Sequence, residues 1–345
     1  MEFDDTQREQ PRGPLRSVHT RVGLAALVAV VAAAVAAGIA LAQSHPKAIG
    51  TGVVVIDTNL AYQGGQAAGT GMVLTSSGLI LTNNHVIRDA TAIRVALPTT
   101  GRSYAARVVG YDVTDDVAVL QAGGASNLKT ISMGDSSTLS TGESVKALGN
   151  AGGTGSLTPA SGSVTGVNRA ITVSDDQGGS EHLTGMIQTS AAVRPGDSGG
   201  PLLNSAGQVI GMDTAASGAG APSQGFAIPI NKAVPIANQI VRGEASANVH
   251  VGGTAFLGVE VTADSYYDGS GAVITAVVPG SPAEAAGLSA GDLITSVGGR
   301  AISSPTGLTM LVMNQRPGAP LSTTFVDQNG ETQTARLTLA SGPPR

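Results

Sequence analysis

The chain contains no cysteine at all. Disulfide scaffolds, thiolate metal sites and cysteine nucleophiles are excluded with it. Aromatic residues make up only 3% of the chain and charged residues 12%, and no run of Lys and Arg appears in its body. With a formal net charge of −5 and a pI near 5.5, the basic footprint that a nucleic-acid partner requires is missing. The histidines, His19, His45, His85, His182 and His250, are scattered without HExxH or other paired spacing. A zinc enzyme is therefore not expected, and no cofactor is implied. Chemistry is left to Ser, Thr, His, Asp, Glu and the backbone.

What the chain has in quantity is glycine, 48 in 345 residues, within a composition that is 41% hydrophobic. That combination favours packed cores built from many short strands and tight turns. The length suits about two domains with additional segments. One long apolar run stands near the start: Val22 to Ala42, "VGLAALVAVVAAAVAAGIALA", carries no charge. As a helix it is long enough for a bilayer core of about 30 Å. Arg12, Arg16 and Arg21 precede it and only Lys47 follows closely, which puts residues 1–21 in the cytoplasm and the rest outside. A signal peptide cut near Ala42, after the small-x-small string Ala40-Leu41-Ala42, is the alternative. Either way the remainder is extracytoplasmic.

Residues 43–50 read as a linker. Short apolar or alternating runs then follow one another to about Pro229, among them "GVVVID", "GTGMVLT", "GLILT", "ARVVGY", "VAVLQA", "GMIQTS", "QVIGMD" and "GFAIPI". They fall into two clusters parted by the polar stretch around Ser136–Glu143, a pattern that two six-stranded barrels would fit. "INKAVPIANQIVR", 230–242, reads as one clear helix ended by Gly243. The small and polar string 243–254 reads as a linker. Beyond it, strands alternate with a short alanine-rich helical segment, the texture of a second, smaller domain over 255–345.

"RPGDSGGP", 194–201, is the candidate centre. A serine hydroxyl is a poor nucleophile unless a positioned base takes its proton. Among the histidines, His85 in "LTNNHVI" stands where an apolar strand opens into a loop. A base needs an orienting acid, and "YDVTDDVAVL" offers Asp112, Asp115 and Asp116, among which spacing alone does not choose. The backbone N–H groups of Gly196 and Ser198 could face a carbonyl oxygen that becomes negative, while Gly199 and Gly200 permit the turn.

The set "TNNHV", "DVAVL" and "GDSGGP", in the chain order His, Asp, Ser, resembles trypsin-like (chymotrypsin-fold) serine proteases. More narrowly, "GTGMVLTSSGLILTNNHVI", "IQTSAAVRPGDSGGPLLNSAGQVIGM" and "GFAIPI" resemble the bacterial HtrA/Deg family, in particular its mycobacterial-type anchored or secreted members. The resemblance implies a mainly β chain: a double-barrel protease domain over 51–242, then an α+β PDZ domain over 255–345, behind a membrane segment. It implies His85 as base, Asp116 as orienting acid and Ser198 as nucleophile, with Gly196 and Ser198 forming the oxyanion hole. Ala192 stands six residues before the nucleophile, where an Asp would select Arg or Lys. With Val193, Ala215 and Ala216 it implies a pocket for small or medium aliphatic residues. In the PDZ domain, Leu257, Gly258 and Val259 are implied to hold a peptide's terminal carboxylate, with Leu311 on the opposite wall of the groove.

The implied partners are unfolded or damaged proteins as substrates, apolar C-terminal peptides at the PDZ domain, and the membrane through residues 22–42. Members of that family often form trimers, so a homotrimer is an expectation here too. The rival reading is a weakly active or inactive PDZ-containing holdase or scaffold. One departure stands out: many HtrA proteases carry Asn beside the nucleophile, whereas this chain has Asp197.

Overall fold

A computed structural model describes residues 50–174, 180–216, 224–263 and 270–345. The expected anchor at 22–42, the tail before it and most of the linker at 43–50 lie outside the described residues. Among the described residues, no helix is long and apolar enough to cross a membrane.

Six strands build the first barrel: β1 (Val53–Leu60), β2 (Gly65–Val73), β3 (Leu79–Thr82), β4 (Ala92–Leu97), β5 (Arg102–Asp112) and β6 (Val117–Ala122). They run β5-β4-β1-β2-β3-β6 and close through a β5–β6 pairing. The barrel is filled by Val54, Ile56, Ile80, Val95, Tyr111 and Leu120. Gly71 is small for a reason, because a Cβ there would meet Ile80 at 2.8 Å and Ile56 at 2.9 Å.

The second barrel holds β7 (Ser144–Gly149), β8 (Thr158–Ser174), β9 (Ser180–Thr189), β10 (Pro201–Leu203), β11 (Val209–Ala216) and β12 (Gly225–Pro229). It is closed in the order β10-β11-β12-β9-β8-β7. Two six-stranded barrels are thus what the two clusters of apolar runs become. Met72, Leu81, Val117 and Val119 of the first barrel pack against Met186, Met212 and Ile228 of the second. This shared core fixes the two barrels against each other, and the residues singled out in the sequence meet along it.

A four-residue helix, α1 (Asn84–Ile87), follows β3, and α2 (Ile230–Val241) packs its Ile230, Ala233, Ala237 and Ile240 into the shared core. Helix α2 ends as read: Gly243, at φ +75°, donates to the Ile240 carbonyl.

The string 243–254 is not a plain linker. It contains β13 (Val249–Val251), which pairs with β5 through Val249↔Asp112, His250↔Tyr111 and Val251↔Gly110. The pairing depends on Gly110, where a Cβ would lie 2.4 Å from the His250 carbonyl oxygen. The His250 ring stacks on Tyr111 with centroids 4.9 Å apart. Three alternating residues are too short a pattern to read as a strand when the partner is so distant in sequence.

The last domain opens with β14 (Thr254–Phe256), β15 (Val259–Thr262) and β16 (Ala272–Val277). Helix α3 (Pro282–Ala285), strands β17 (Leu293–Val297) and β18 (Arg300–Ala301), and helix α4 (Pro305–Met313) follow. Strands β19 (Pro320–Val326), β20 (Thr332–Thr338) and β21 (Ala340–Gly342) complete it. The main sheet runs β15-β16-β17-β19-β20, with β15 at its edge. Phe256 on β14 stacks on Tyr62 of the first barrel, with centroids 5.5 Å apart and planes 9° from parallel.

Candidate active site

His85 sits in α1, directly after β3, and Asp116 stands immediately before β6. The carboxyl of Asp116 is 1% exposed and sits among donors. It accepts from His85 Nδ1 at 2.8 Å, from the His85 backbone N–H at 2.9 Å, and from the Thr214 hydroxyl. A carboxylate can only accept, so Nδ1 carries the proton and Nε2 is left as the basic nitrogen. Asp116 has φ +53°, a left-handed conformation that costs about 1–2 kcal/mol for a residue with a Cβ. Its surroundings impose that conformation, since the Asn83 amide also grips its backbone carbonyl at 2.9 Å.

The other two acids are engaged elsewhere. Asp112 accepts from the Asp115 N–H at 3.0 Å, and Asp115 pairs with Lys232 at 2.6 Å. Geometry thus separates three acids that spacing could not.

The turn at 194–200 is held from three sides. Within it, Asp197 N–H donates to the Arg194 carbonyl, Gly200 N–H to the Asp197 carbonyl, and Arg194 N–H to Asp197 Oδ2, each at 2.9 Å. From the second barrel, Gly152 N–H holds the Pro195 carbonyl at 2.8 Å. From the first, the Thr70 hydroxyl donates to the Gly196 carbonyl at 2.7 Å and the Thr70 N–H to the Ser198 carbonyl at 2.8 Å. With these carbonyls engaged, the N–H groups of Gly196 and Ser198 have no acceptor among the described residues. Gly196 sits at φ +96°, where a Cβ would lie 2.2 Å from the Asn150 carbonyl oxygen.

The Ser198 hydroxyl donates to the Thr214 carbonyl at 3.3 Å. Thr214 therefore touches both halves of the site, Asp116 through its hydroxyl and Ser198 through its carbonyl. His85 reaches Asp116 through Nδ1. For Ser198 the hydroxyl bond goes to the Thr214 carbonyl, a long and therefore weak contact. Such contacts tighten once substrate is bound.

Thr70, Asn83 and Thr214 are site residues that the sequence did not single out. Each is buried: Thr70 and Asn83 are 0% exposed and Thr214 is 6%. A polar residue next to an otherwise apolar run, as in "GTGMVL" or "VIGMDT", is the only local sign of them.

Other expected positions fall less neatly. Ala192 is half-buried, but Val193 is 5% exposed and packs with Ala191, Ile187 and Leu202 in the core of the second barrel. Its side chain therefore faces the core instead of an open pocket, because Gly225 lets it close against β12. Ala215 and Ala216 end β11, and their side chains lie outside the described residues, as does the stretch 217–223.

In the last domain, Leu257 also faces inward, 4% exposed among Ile274, Ile294 and Leu308. That leaves only its backbone for a ligand. Gly258, at φ +89°, is pressed against Ser281, whose Cβ would be 2.1 Å from a Cβ at that position. Val259 lies on the edge strand β15, and Leu311 is half-buried on α4.

Two carboxyls behind the turn are unlike the rest. Asp213 is fully buried, and among the described residues neither of its oxygens has a hydrogen-bond partner, nor does Asp197 Oδ1. Burial, followed by the nearby Asp197 charge, holds the Asp213 carboxyl well above the usual carboxylate range. Burial also raises Asp197, against the lowering effect of the Arg194 N–H bond and of the Arg194 charge. Among the described residues, no three His, Asp or Glu side chains are grouped to hold a metal ion.

Residues 69–212 match the family described as trypsin-like peptidase domain, and residues 255–339 the family described as PDZ domain. Serine protease PepD of Mycobacterium tuberculosis is 37% identical over 306 residues, which cover 83% of this chain and 63% of that protein. The chain belongs to the HtrA/Deg family. Another member, periplasmic serine endoprotease DegP of Escherichia coli K12, is 36% identical over 264 residues, covering 74% of this chain and 53% of DegP. Among solved structures, the HtrA-type protease AlgW with tripeptide is 29% identical with a TM-score of 0.50, over 86% of this chain and 95% of that one. The chain spans less than two thirds of the length of either curated relative, at 63% and 53%.

Proposed function

We propose that this HtrA/Deg protein is a serine endopeptidase that cleaves unfolded or damaged proteins outside the cytoplasm. The observation that carries the reading is the 2.8 Å bond from His85 Nδ1 to a buried Asp116 that is tied through Thr214 to Ser198. His85 Nε2 takes the Ser198 proton as Oγ attacks the scissile carbonyl. It then returns that proton to the leaving amine, and water repeats the cycle on the acyl-enzyme. General-base action of this kind is worth about 10²–10⁴-fold. The oxyanion that forms is received by the Gly196 and Ser198 N–H groups. Each donor of this kind contributes about 3 kcal/mol in the transition state.

Ala192, half-buried six residues before Ser198, offers no charge to select Arg or Lys, which favours cleavage after small or medium aliphatic residues. The PDZ domain binds apolar C-terminal peptides by strand addition to the open edge of β15. The Leu257 and Gly258 amides receive the carboxylate, and α4 with Leu311 forms the other wall. Residues 22–42 tie the enzyme to the membrane or direct its export, and the working assembly is a homotrimer.

The deciding experiment compares the chain from residue 43 onward with its Ser198→Ala variant on an unfolded casein-type substrate. Wild type cleaves it and the variant does not, while both show the same thermal transition. Equal cleavage by the two would remove Ser198 from the chemistry. No cleavage by either would leave the holdase reading.

A further inference from the structure

Behind the nucleophile turn lies a pair of acids that the mechanism above does not use. Asp197 adjoins Ser198 in the chain. Asp213 adjoins Thr214 and is laced to the same turn by its backbone, with Gly199 N–H donating to the Asp213 carbonyl and Asp213 N–H to the Gly200 carbonyl, both at 2.8 Å. Both side chains are buried, at 2% and 0% exposure. Three of their four carboxyl oxygens, Asp197 Oδ1 and both oxygens of Asp213, have no donor among the described residues. Buried oxygens in such numbers are costly when left unpaired, and two adjacent carboxylates without a counter-ion more so.

The neighbours supply no remedy. Gly149 lies directly under Asp197, where a Cβ would be 2.6 Å from Oδ1. Ala227 faces Asp213 across the ladder, and Gly199 and Gly200 hold its backbone. None of these carries a charge. The Arg194 charge acts on Asp197, but that side chain is exposed. Beyond Thr214, the Asp116 carboxyl is already taken up by His85. A proton is the one partner that needs no further space. Placed on Asp213 it removes the charge of the more deeply buried acid, and shared with Asp197 it would serve orphan oxygens of both carboxyls.

We propose that Asp213 is a positioning residue of the nucleophile turn: one proton shared between the Asp213 and Asp197 carboxyls holds the Gly196–Ser198 segment in its active shape, and loss of that proton releases it. The inference rests on the peptidase reading for its effect on rate, but the shared proton itself is observable without any activity. When the pair loses its proton, two buried negative charges are left at one turn with no counter-ion among the described residues. Asp197 is then driven away, and with it the Gly196 and Ser198 N–H groups that its turn aims. The rate falls through kcat, while substrate binding elsewhere is spared.

Stability follows the same sign. A carboxyl raised in the native state binds its proton there at pH values where the unfolded chain has lost it. Stability therefore falls as pH rises from the usual carboxylate range up to the native value.

The test is infrared spectroscopy of the folded chain from residue 43 onward, carrying 13C-carboxyl aspartate, alongside the pH dependence of kcat and KM for a chromogenic peptide. We expect a protonated-aspartate band in wild type at neutral pH, removed by Asp213→Asn and retained in Asp112→Asn. We also expect wild-type kcat to fall on the alkaline side. In Asp213→Asn that limb moves up by about one pH unit or more, because the amide donates to Asp197 at any pH. If Asp213→Asn does not fold, Asp197→Asn serves in its place, and the band must then shift as its acceptor changes. Cleavage by a wild type that lacks the band, or an alkaline limb unmoved in Asp213→Asn, overturns the shared proton. The band in a chain that cleaves nothing supports the shared proton and sinks the peptidase reading instead. Loss of the band with a stability gain on adding sodium or calcium ions would assign the pair to a cation and overturn the proposal.

Discussion

Asp116→Asn is expected to lower kcat for peptide cleavage by about 10⁴-fold while leaving KM and the thermal transition close to wild type. The reason lies in the donor pattern. One oxygen of Asp116 accepts the His85 backbone N–H, and the other accepts His85 Nδ1 and the Thr214 hydroxyl. An asparagine has one acceptor oxygen and one NH2 group to divide between these places. The backbone N–H cannot stop donating, so the oxygen must face it. The NH2 group then faces His85 Nδ1 and the Thr214 oxygen, both of which can become acceptors. Every hydrogen bond is satisfied, so the fold survives. The imidazole, however, now carries its proton on Nε2 and cannot take one from Ser198. A loss smaller than about tenfold in steady-state assays would show that Asp116 does not set the tautomer. Asp112→Asn, which changes an acid bonded only to its own loop, should stay within a few-fold of wild type.

The second large effect comes from one methyl group. Gly199→Ala should destabilise the chain by about 3 kcal/mol or more and reduce cleavage by at least about 10²-fold. A Cβ at residue 199 would lie 2.1 Å from the Thr70 carbonyl oxygen and 2.2 Å from Thr82 Oγ1, and the residue has φ +84°. Neither neighbour can retreat, because the Thr82 hydroxyl donates to that same Thr70 carbonyl at 2.7 Å and both residues are fully buried. Gly207 is the control. It has φ +72° with nothing within 4 Å of a Cβ, so Gly207→Ala should cost only the conformational strain, about 1–2 kcal/mol, and leave cleavage intact. Thermal unfolding and initial rates on both variants measure the difference. Equal losses at the two glycines would mean that close packing against Thr70 does not shape the nucleophile turn.

The fold and part of this site were legible in the sequence. Short apolar runs parted by glycine revealed both barrels, since a strand buried on one or both faces leaves that pattern locally. Ser198 was legible because GDSGGP is a continuous string whose glycines are each required by a close approach. His85 needed its position at the end of an apolar strand. Asp116 was not separable from Asp112 and Asp115 by spacing and became so only by resemblance. The fold then separates them through donors brought from His85 and Thr214.

Thr70 and Thr214 stayed invisible for a related reason. Each is a single hydroxyl on a strand, and its partners, Gly196 for one and Asp116 for the other, are remote in sequence. Strand β13 was hidden by its brevity and by pairing to a strand of the first barrel. The inward turn of Leu257 and Val193 was missed because resemblance places a residue in a loop without saying which way its side chain faces. Asp213 lay unread inside "VIGMD" as the end of a strand, and only its burial shows that it needs a partner.

The central claim is that Ser198 is a nucleophile activated by a His85–Asp116 pair. Labelling with a fluorophosphonate, followed by intact-mass and peptide mass spectrometry, tests it without assuming any substrate. The account predicts one covalent phosphonyl group per chain, carried on Ser198, with no adduct in Ser198→Ala and labelling slowed by orders of magnitude in His85→Ala. An adduct on another residue, or equal labelling of wild type and His85→Ala, would contradict it.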